Sequence, residues 1–195
     1  MRKSNTKLWN HLLKELKDFE ISAGWFEDSR YDAETPIAGI AAVQNYGASI
    51  NNPGGTPYFI SELAKRAVFV HKNTPFSIGL PLTKPHNIII PPRPFFDNAK
   101  RRIQGVEGKK ILLGEMIKVF EGKQTMEQAA NKLGMWLQKV IQEEIKKISA
   151  PPLAPSTIRQ RNSQYDSKSK NKSTKPLNDS GLMFNSVQYK AELKK

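Results

Sequence analysis

The residues of this chain that could do chemistry are few and scattered along it. His11, His71 and His86 are the three histidines, and the chain has no cysteine. Structural zinc sites draw their ligands from closely spaced cysteines and histidines. The sequence therefore predicts no metal site, no cofactor and no cysteine nucleophile, although His71 and His86 would approach each other if the strands beside them paired.

A second group of reactive side chains is a short run of carboxylates. Glu27, Asp28, Asp32 and Glu34 lie within eight residues, so a general acid and base could in principle be drawn from them. Their polar, charged neighbours are typical of a solvated turn. The chain also lacks a phosphate-binding glycine loop and a Gly-x-Ser-x-Gly motif. We therefore predict that the protein is not an enzyme and has no catalytic residues; an enzyme using these carboxylates is the least favoured alternative.

The first part of the chain shows helical and strand patterns that frame these residues. Within residues 1–19 apolar side chains recur at spacings of three and four, which predicts a helix that covers the core or, alternatively, an arm that binds a partner. Residues 20–26 alternate in polarity and predict a strand. Thr35 and Pro36 predict the cap and first residue of a second helix, which Gly47 ends in the left-handed conformation.

An extended insert occupies the centre of the chain. Residues 51–90 contain a loop rich in proline and glycine at 51–57 and two stretches of branched and aromatic residues, 66–72 and 87–90. These stretches predict the strands of an extended hairpin or flap. Pro91 lacks a backbone N–H and ends the second strand.

Helices follow the flap. Asp97 is the predicted cap of an irregular helix, and residues 125–149 combine a capping-box sequence with a continuous apolar face, which predicts a long core helix. Residues 159–175 are almost wholly polar and predict a flexible basic loop. The whole pattern predicts one α+β domain, residues 1–195, in which a small mixed or antiparallel sheet packs against one or two long helices.

Charge points to a polyanionic neighbour. The formal net charge is +13, and the segment from Pro151 to Lys195 holds nine basic and three acidic residues, a net +6. Nucleic acid, an acidic protein surface or an anionic membrane would each fit this balance. The residues predicted to contact DNA or an acidic partner are Arg159, Arg161, Lys168, Lys170, Lys172 and Lys175.

Four short blocks, each combining backbone-restricting residues with apolar anchors, resemble a known family. They are Ile40-Ala-Ala-Val-Gln-Asn-Tyr-Gly47, Ile90-Pro-Pro-Arg-Pro-Phe95, Pro151-Pro-Leu-Ala-Pro-Ser-Thr-Ile158, and Lys175-Pro-Leu-Asn-Asp-Ser-Gly181 with Asn185-Ser-Val. Their order and spacing are similar to those of the virion morphogenesis, tail completion or neck proteins of tailed bacteriophages. The family often has an acidic residue where this chain has Asn45, and a threonine where it has Ser180.

The resemblance implies a structural subunit of the head-to-tail junction. Such a subunit forms a homo-oligomeric ring, six- or twelve-fold, between the head-closure or connector protein and the tail-tube or tail-terminator protein. It is part of the virion and is assembled in the host cytoplasm. DNA passes through its lumen and could contact it non-specifically.

The predicted oligomer or partner interface combines a small-residue helix with the proline–arginine corner. Its members are Ala38, Gly39, Ala41, Ala42, Tyr46, Gly47, Arg93, Pro94, Phe95 and Phe96. We also expect the corner at Arg93, Phe95 and Phe96 to anchor the base of the flap to the long helix. The alternative to the junction part is a basic nucleic-acid-binding module that acts through phosphate contacts.

Overall fold

One long helix forms the centre of the fold, and shorter helices and antiparallel strand pairs surround it. The computed structural model describes residues 10–11, 14, 19–63, 65–70, 75–162 and 173–193. The predicted N-terminal helix within residues 1–19 lies outside this description, apart from residues 10, 11 and 14, which are helical, and Phe19, which begins a strand instead.

Apart from one turn of 3-10 helix, the described residues form six helices and six strands. The helices are α1 (Ile37–Tyr46), α2 (Phe95–Gln104), α3 (Val106–Phe120), α4 (Met126–Lys147), α5 (Pro155–Arg161) and α6 (Leu182–Asn185). The strands are β1 (Phe19–Gly24), β2 (Ala48–Asn52), β3 (Tyr58–Ser61), β4 (Arg66–Phe69), β5 (His86–Ile90) and β6 (Gln188–Leu193). The fold is α+β, as the sequence predicts.

The strands form separate antiparallel pairs rather than one sheet. Strand β1 pairs with β6, β2 with β5, and β3 with β4. The β1–β6 pair joins the two ends of the described chain and packs on α4. The other two pairs build the flap, residues 48–90. Hydrogen bonds from Tyr58 N to Pro81 O (3.0 Å) and from Thr83 N to Thr56 O (3.0 Å) tie the segment leading into β3 to the segment that precedes β5.

The core is assembled on one face of α4. Val140, Ile141 and Ile145 of this helix pack with Phe95 of α2 and Val187, which precedes β6. The helix begins where the sequence predicts, because the Thr125 hydroxyl accepts from the Gln128 backbone N–H and the Gln128 side chain accepts from the Thr125 N–H. The capping box is thereby confirmed, and the helix ends at Lys147, two residues before the predicted boundary.

A glycine in the middle of α4 lets β6 lie directly on the helix. A Cβ built on Gly134 would lie 2.2 Å from Cδ2 of Tyr189, far closer than two non-bonded carbon atoms can approach. Tyr189 pairs with Ala23 of β1 in the register of the strand pair. The missing side chain therefore sets how closely the β1–β6 pair can pack on the long helix.

Two predicted helix caps are wrong. Helix α1 begins at Ile37, with Pro36 before it, and no side chain caps it; Thr35 instead closes a turn in which its N–H donates to Asp32. Helix α2 begins at Phe95, so that Asp97 lies inside the first turn and does not cap it. In both cases a proline, Pro36 or Pro94, is the residue immediately before the first helical residue.

The strand pairing predicted for the flap is also wrong in detail. The stretches at 66–72 and 87–90 do not pair with each other, because each pairs with an earlier strand that the sequence pattern did not reveal. Asn51 and Asn52 belong to β2, although the segment 51–57 has the composition of a loop. Asparagine is uncommon in strands, and this edge position tolerates it because one face is exposed.

Only the two ends of the predicted basic loop, 159–175, are described. The segment Pro155–Arg161 is a helix, and residues 173–175 are described as well, so the two ends of the predicted loop at 159–175 belong to the fold. The remainder, 163–172, lies outside the described residues. Proline at the first position of α5 begins that helix rather than preventing it.

Candidate assembly interface

Two residues of the proline–arginine corner, Arg93 and Phe95, are buried inside the subunit, whereas Pro94 is exposed and Phe96 half-buried. Phe95 is completely buried (0% exposed) and contacts the ring of Trp25 edge to face, with centroids 6.0 Å apart; Phe96 lies 6.4 Å from the same ring. The Arg93 N–H donates to the Gln44 carbonyl at 2.9 Å, which ties the corner to α1. Phe95 also packs with Val140 and Ile141 of α4, the long helix to which the corner is expected to anchor the flap.

Burial argues against the predicted role of Arg93 and Phe95 in contacts between subunits. Both belong to the predicted oligomer or partner interface, but the structure buries them: Phe95 is fully enclosed, and Arg93 is only slightly exposed, at the wall of a cavity. Apolar side chains of this size drive folding when removed from water. A Phe95→Ala change would therefore act on the fold of the subunit before it acted on any assembly.

Asn45 organises the start of α2, a role that the sequence pattern did not indicate. Its side-chain oxygen accepts from the Phe96 N–H at 2.9 Å, and its NH₂ group donates to Asp97 Oδ2 at 2.9 Å. A free N–H at a helix start needs such an acceptor. The asparagine, where the resembled family often has an acid, therefore fits a site that already holds the Asp97 carboxylate.

The C-terminal block is fastened to the core by three neutral donors. Gln138 donates to the Val187 carbonyl at 2.7 Å and Gln142 to the Phe184 carbonyl at 3.1 Å, while Trp25 Nε1 donates to the Met183 carbonyl at 2.8 Å. The two glutamines are four residues apart and so share one face of α4. That spacing is the sequence signal that would have revealed them.

Helix α1 presents a face of small residues with one large aromatic. Ala38, Gly39, Ala42 and Tyr46 are exposed, whereas Ala41 is buried in the core. Residues 38, 42 and 46 follow at intervals of four, so they lie in one row. This face remains a surface that another backbone could approach closely; Ala41 does not belong to it.

Gly47 joins α1 to the flap at a close approach. Its φ is +77° and its ψ 170°, so φ is positive as predicted but the residue is not in the helical left-handed region. A Cβ at this position would lie 2.8 Å from the Ile90 carbonyl oxygen and 3.0 Å from Pro92 N. The residue serves the fold, because only glycine permits this approach at positive φ.

The flap exposes an unusual amount of apolar surface. Exposed apolar side chains occur on both strand pairs and on the connection between them. The large apolar residues that are exposed there are Ile50, Ile60, Leu63, Phe69, Phe76, Ile78, Leu82, Ile88 and Ile89. Monomeric soluble proteins rarely leave contiguous apolar patches of this kind open. The sequence patterns predicted the flap, but not that it would carry so many exposed side chains.

The basic residues predicted to meet DNA or an acidic partner divide into three groups. Arg159 and Lys175 are exposed. Lys168, Lys170 and Lys172 lie outside the described residues. Arg161 is a correction: it is 8% exposed, its Nη1 donates to three backbone carbonyls, and its Nε lies 3.3 Å from Asp179 Oδ1.

The carboxylate run has the geometry of a turn. Glu27, Asp28, Asp32 and Glu34 are all exposed, and Asp32 Oδ1 accepts from the N–H groups of Thr35 (2.8 Å) and Glu34 (3.1 Å). Hydrogen bonds from Thr35 and from the Glu34 backbone lower the pKa of Asp32. A general acid needs the opposite shift.

Of the two histidines predicted to approach each other, only His86 lies in the described part of the chain. His86 Nδ1 lies 2.8 Å from the Lys84 carbonyl oxygen, and His71 is outside the described residues, so the predicted approach of the two is not tested. Among the residues that the structure covers, no three His, Asp or Glu side chains are grouped closely enough to hold a metal ion.

Within the described ranges, none of the helices combines the length and the apolar character needed to cross a bilayer. Comparison with protein-family models, with curated proteins and with solved structures finds no match to this chain.

Proposed function

We propose that this protein is a structural, non-enzymatic subunit of the head-to-tail junction of a tailed bacteriophage. In this proposal it forms a homo-oligomeric ring, six- or twelve-fold, that joins the head-closure or connector protein to the tail-tube or tail-terminator protein and lets DNA pass. It belongs to the virion and assembles in the host cytoplasm. The order and spacing of its four proline- and glycine-containing blocks support this assignment.

The observation that carries the proposal is the exposed apolar flap. A ribbon of two antiparallel strand pairs that leaves Phe69, Ile78 and Ile89 in water gains free energy when another surface covers it, at about 25 cal/mol per Å² of apolar area. The exposed α1 row from Ala38 to Tyr46 is a separate surface. Two different surfaces on one subunit favour head-to-tail contacts, which close into a ring when the rotation is right.

The test is the assembly state of the purified protein. We expect sedimentation velocity and negative-stain electron microscopy to show closed rings whose population rises with protein concentration. Ile60→Glu combined with Phe69→Glu should leave a folded monomer, because both side chains are exposed on the facing strands β3 and β4. Met135→Glu is the matched control, because Met135 is also a large exposed apolar residue but lies on α4. This variant should assemble normally.

A protein that stays monomeric at every concentration, with or without its flap substitutions, would contradict the ring. Rings that persist in the Ile60→Glu, Phe69→Glu variant would show that the flap is not the contact. Loss of rings in Met135→Glu as well would mean that added negative charge alone prevents assembly.

A second candidate function rests on the net charge of +13. A nucleic-acid-binding module would bind DNA as a monomer, with an affinity that falls steeply as salt rises because counterions are released. Arg159 and Lys175 remain exposed for such contacts. Fluorescence anisotropy with a labelled duplex between 50 and 200 mM salt separates the two: tight monomer binding with a steep salt slope favours the module, and weak binding with ring formation favours the junction subunit.

A further inference from the structure

A cavity of about 670 Å³ opens where the base of the flap meets the C-terminal segments. Strand β5, helix α1, the start of α5 and residues 177–183 form its walls. The apolar side chains among them include Ile37, Ile40, Ile88, Ile89, Leu153 and Leu182. A volume of this size lies within the range of pockets that hold ligands or peptide side chains.

Two arginines form part of this wall, and both are more than nine-tenths buried. Arg93 is 5% exposed and Arg161 8%. Arg93 donates from Nε to the Pro151 carbonyl (3.2 Å) and from Nη1 to the Gln44 side-chain oxygen (2.9 Å), both neutral acceptors. No described residue accepts from its Nη2. The Arg93 side chain lines the cavity.

Arg161 is placed in the same way. Its Nη1 is used by the carbonyls of residues 173, 175 and 178, and its Nε faces Asp179, but no described residue accepts from its Nη2. Burial, and then the charge of Arg161, lower the pKa of Arg93. The cavity wall thus holds two guanidinium groups against one carboxylate. A buried cation without an anion is costly, so this arrangement favours an incoming anion.

Strand β5 contributes a backbone edge to the same cavity. It pairs with β2 along one side, and no other strand of the described part of the chain lies along its second side. Ile88, Ile89 and Ile90 line the cavity. Extended peptides bind by adding a strand to such an edge while alternate side chains enter the neighbouring pocket.

We propose that this cavity binds an extended peptide segment of a partner protein, in which an aspartate or glutamate stands between apolar residues. The carboxylate pairs with the Nη2 groups of Arg93 and Arg161, the apolar side chains fill the space beside Ile89 and Leu182, and the peptide backbone adds to β5. A phosphate of nucleic acid fits less well, since its hydrated backbone would have to enter an apolar wall. The proposal does not rest on ring formation, although Ile89 belongs both to the cavity wall and to the exposed flap.

The experiment is a selection of random decapeptides displayed on yeast against the full-length protein, followed by anisotropy measurements on the best binder made synthetically. We expect the enriched peptides to carry an acidic residue flanked by apolar ones. Replacing that acid by its amide should weaken binding by about tenfold or more, because a charge-assisted pair is lost. No enrichment, enrichment without an acid, or equal binding of the amide peptide would overturn the proposal.

Variants of the protein locate the site. Arg93→Gln should weaken binding of the acidic peptide but not of its amide form. Since Arg93 also holds the corner, Ile89→Glu provides an independent test: this residue is 75% exposed on the cavity wall and would repel the carboxylate. Ile78→Glu is the matched control, because Ile78 is 84% exposed and lies outside the wall. Equal effects of Ile89→Glu and Ile78→Glu would refute the assignment.

Two competitors distinguish the source of the anion. Octanoate carries a carboxylate on an apolar chain without a peptide backbone, and inorganic phosphate represents nucleic acid. Neither should displace the peptide at concentrations near the peptide's own dissociation constant. Displacement by octanoate in that range would replace the peptide with a small amphiphilic carboxylate, and displacement by phosphate would favour a nucleic-acid contact; either result would reject the peptide site.

Discussion

At the scale of single residues, neutral amides position the parts of this protein. Asn45, Gln138 and Gln142 each join an element of the core to a backbone that would otherwise have unpaired groups. Buried backbone groups without partners are costly, typically about 1–3 kcal/mol. An amide can donate and accept at once and adds no charge to a buried position, which is why these sites need it.

Exchanging the two members of the Asn45–Asp97 pair tests this role. Asn45→Asp alone should destabilise the fold by about 1–3 kcal/mol, since two carboxylates then face each other and one is almost fully buried. Adding Asp97→Asn restores a donor opposite the new acid. The double variant should recover part of the loss, with a coupling of about 0.5–3 kcal/mol in a urea-unfolding cycle. Additive effects would show that the hydrogen bond does not couple the residues.

At the scale of elements, one arginine holds three helices together. Arg102 of α2 donates to Glu107 of α3 at 2.6 Å and 2.9 Å, and to Glu143 (2.7 Å) and Glu144 (3.2 Å) of α4. The break between α2 and α3 at Gly105 brings Glu107 back towards Arg102. These ion pairs therefore connect α2 to α3 across the break in the helix, and both to α4.

The network makes stability depend on pH in a defined direction. The Arg102 hydrogen bond, opposed in part by burial, lowers the pKa of Glu107 below its ordinary value of 4.5. A lowered carboxyl pKa stabilises the fold above the unfolded value, and that stability is lost as pH falls through the folded value. The melting temperature of the wild type should therefore fall below about pH 4.5, and more gently in Arg102→Met.

The neighbouring Arg101 supplies the control for this titration. Arg101 is exposed and bonds to the neutral side chain of Asn98, so Arg101→Met should show the acid dependence of the wild type. Thermal unfolding followed by circular dichroism from pH 7 to pH 3 compares the three proteins. Parallel curves for Arg102→Met and the wild type would exclude the Glu107 pair as a source of the pH dependence.

The contact between α4 and β6 predicts an unusual response to a glycine replacement. Alanine normally stabilises a helix interior by up to about 1 kcal/mol relative to glycine. Gly134→Ala should instead destabilise by about 1–3 kcal/mol, because the new methyl group would overlap the Tyr189 ring. Gly114→Ala in α3, where nothing lies within 4 Å of the new Cβ, is the matched control and should be neutral or stabilising. Urea unfolding of both variants tests the pair; a stabilised Gly134→Ala would disprove the close packing.

Local signals in the sequence predicted the elements better than their partners. The capping box at Thr125 and the strand pattern of residues 20–26 are properties of a few adjacent residues. The structure confirms the capping box and places a strand at Phe19–Gly24. Strand pairing in the flap depends on residues far apart in sequence, and asparagine-rich β2 lacks the composition of a strand. The candidate site was predicted least well. Arginine is rarely buried, so the sequence favours surface positions for Arg93 and Arg161. Only the tertiary contacts reveal the carbonyls that accept their hydrogen bonds.

At the scale of the whole molecule, the hydrophobic core is built without the flap. The buried hydrophobic residues among those described come from α1, from the segment 95–148 and from Val187, and none comes from residues 48–90. The flap is therefore supported by its own strand pairs and by the corner at its base. A part that adds no buried apolar side chain to the core, yet exposes many, is better explained by contacts with other molecules than by stability.

Removing most of the flap tests this separation. Asn52 and His86 face each other across the β2–β5 pair, so replacing residues 53–85 with Asn-Gly would close a two-residue hairpin at that point. The shortened protein should unfold at nearly the temperature of the wild type, because the core loses nothing. It should also fail to form the proposed rings in sedimentation velocity, because the exposed apolar side chains on β3, β4 and their connection are gone. A large loss of thermal stability would place the flap within the core's cooperative unit, whereas intact rings from a stable shortened protein would assign assembly to another surface such as the α1 row.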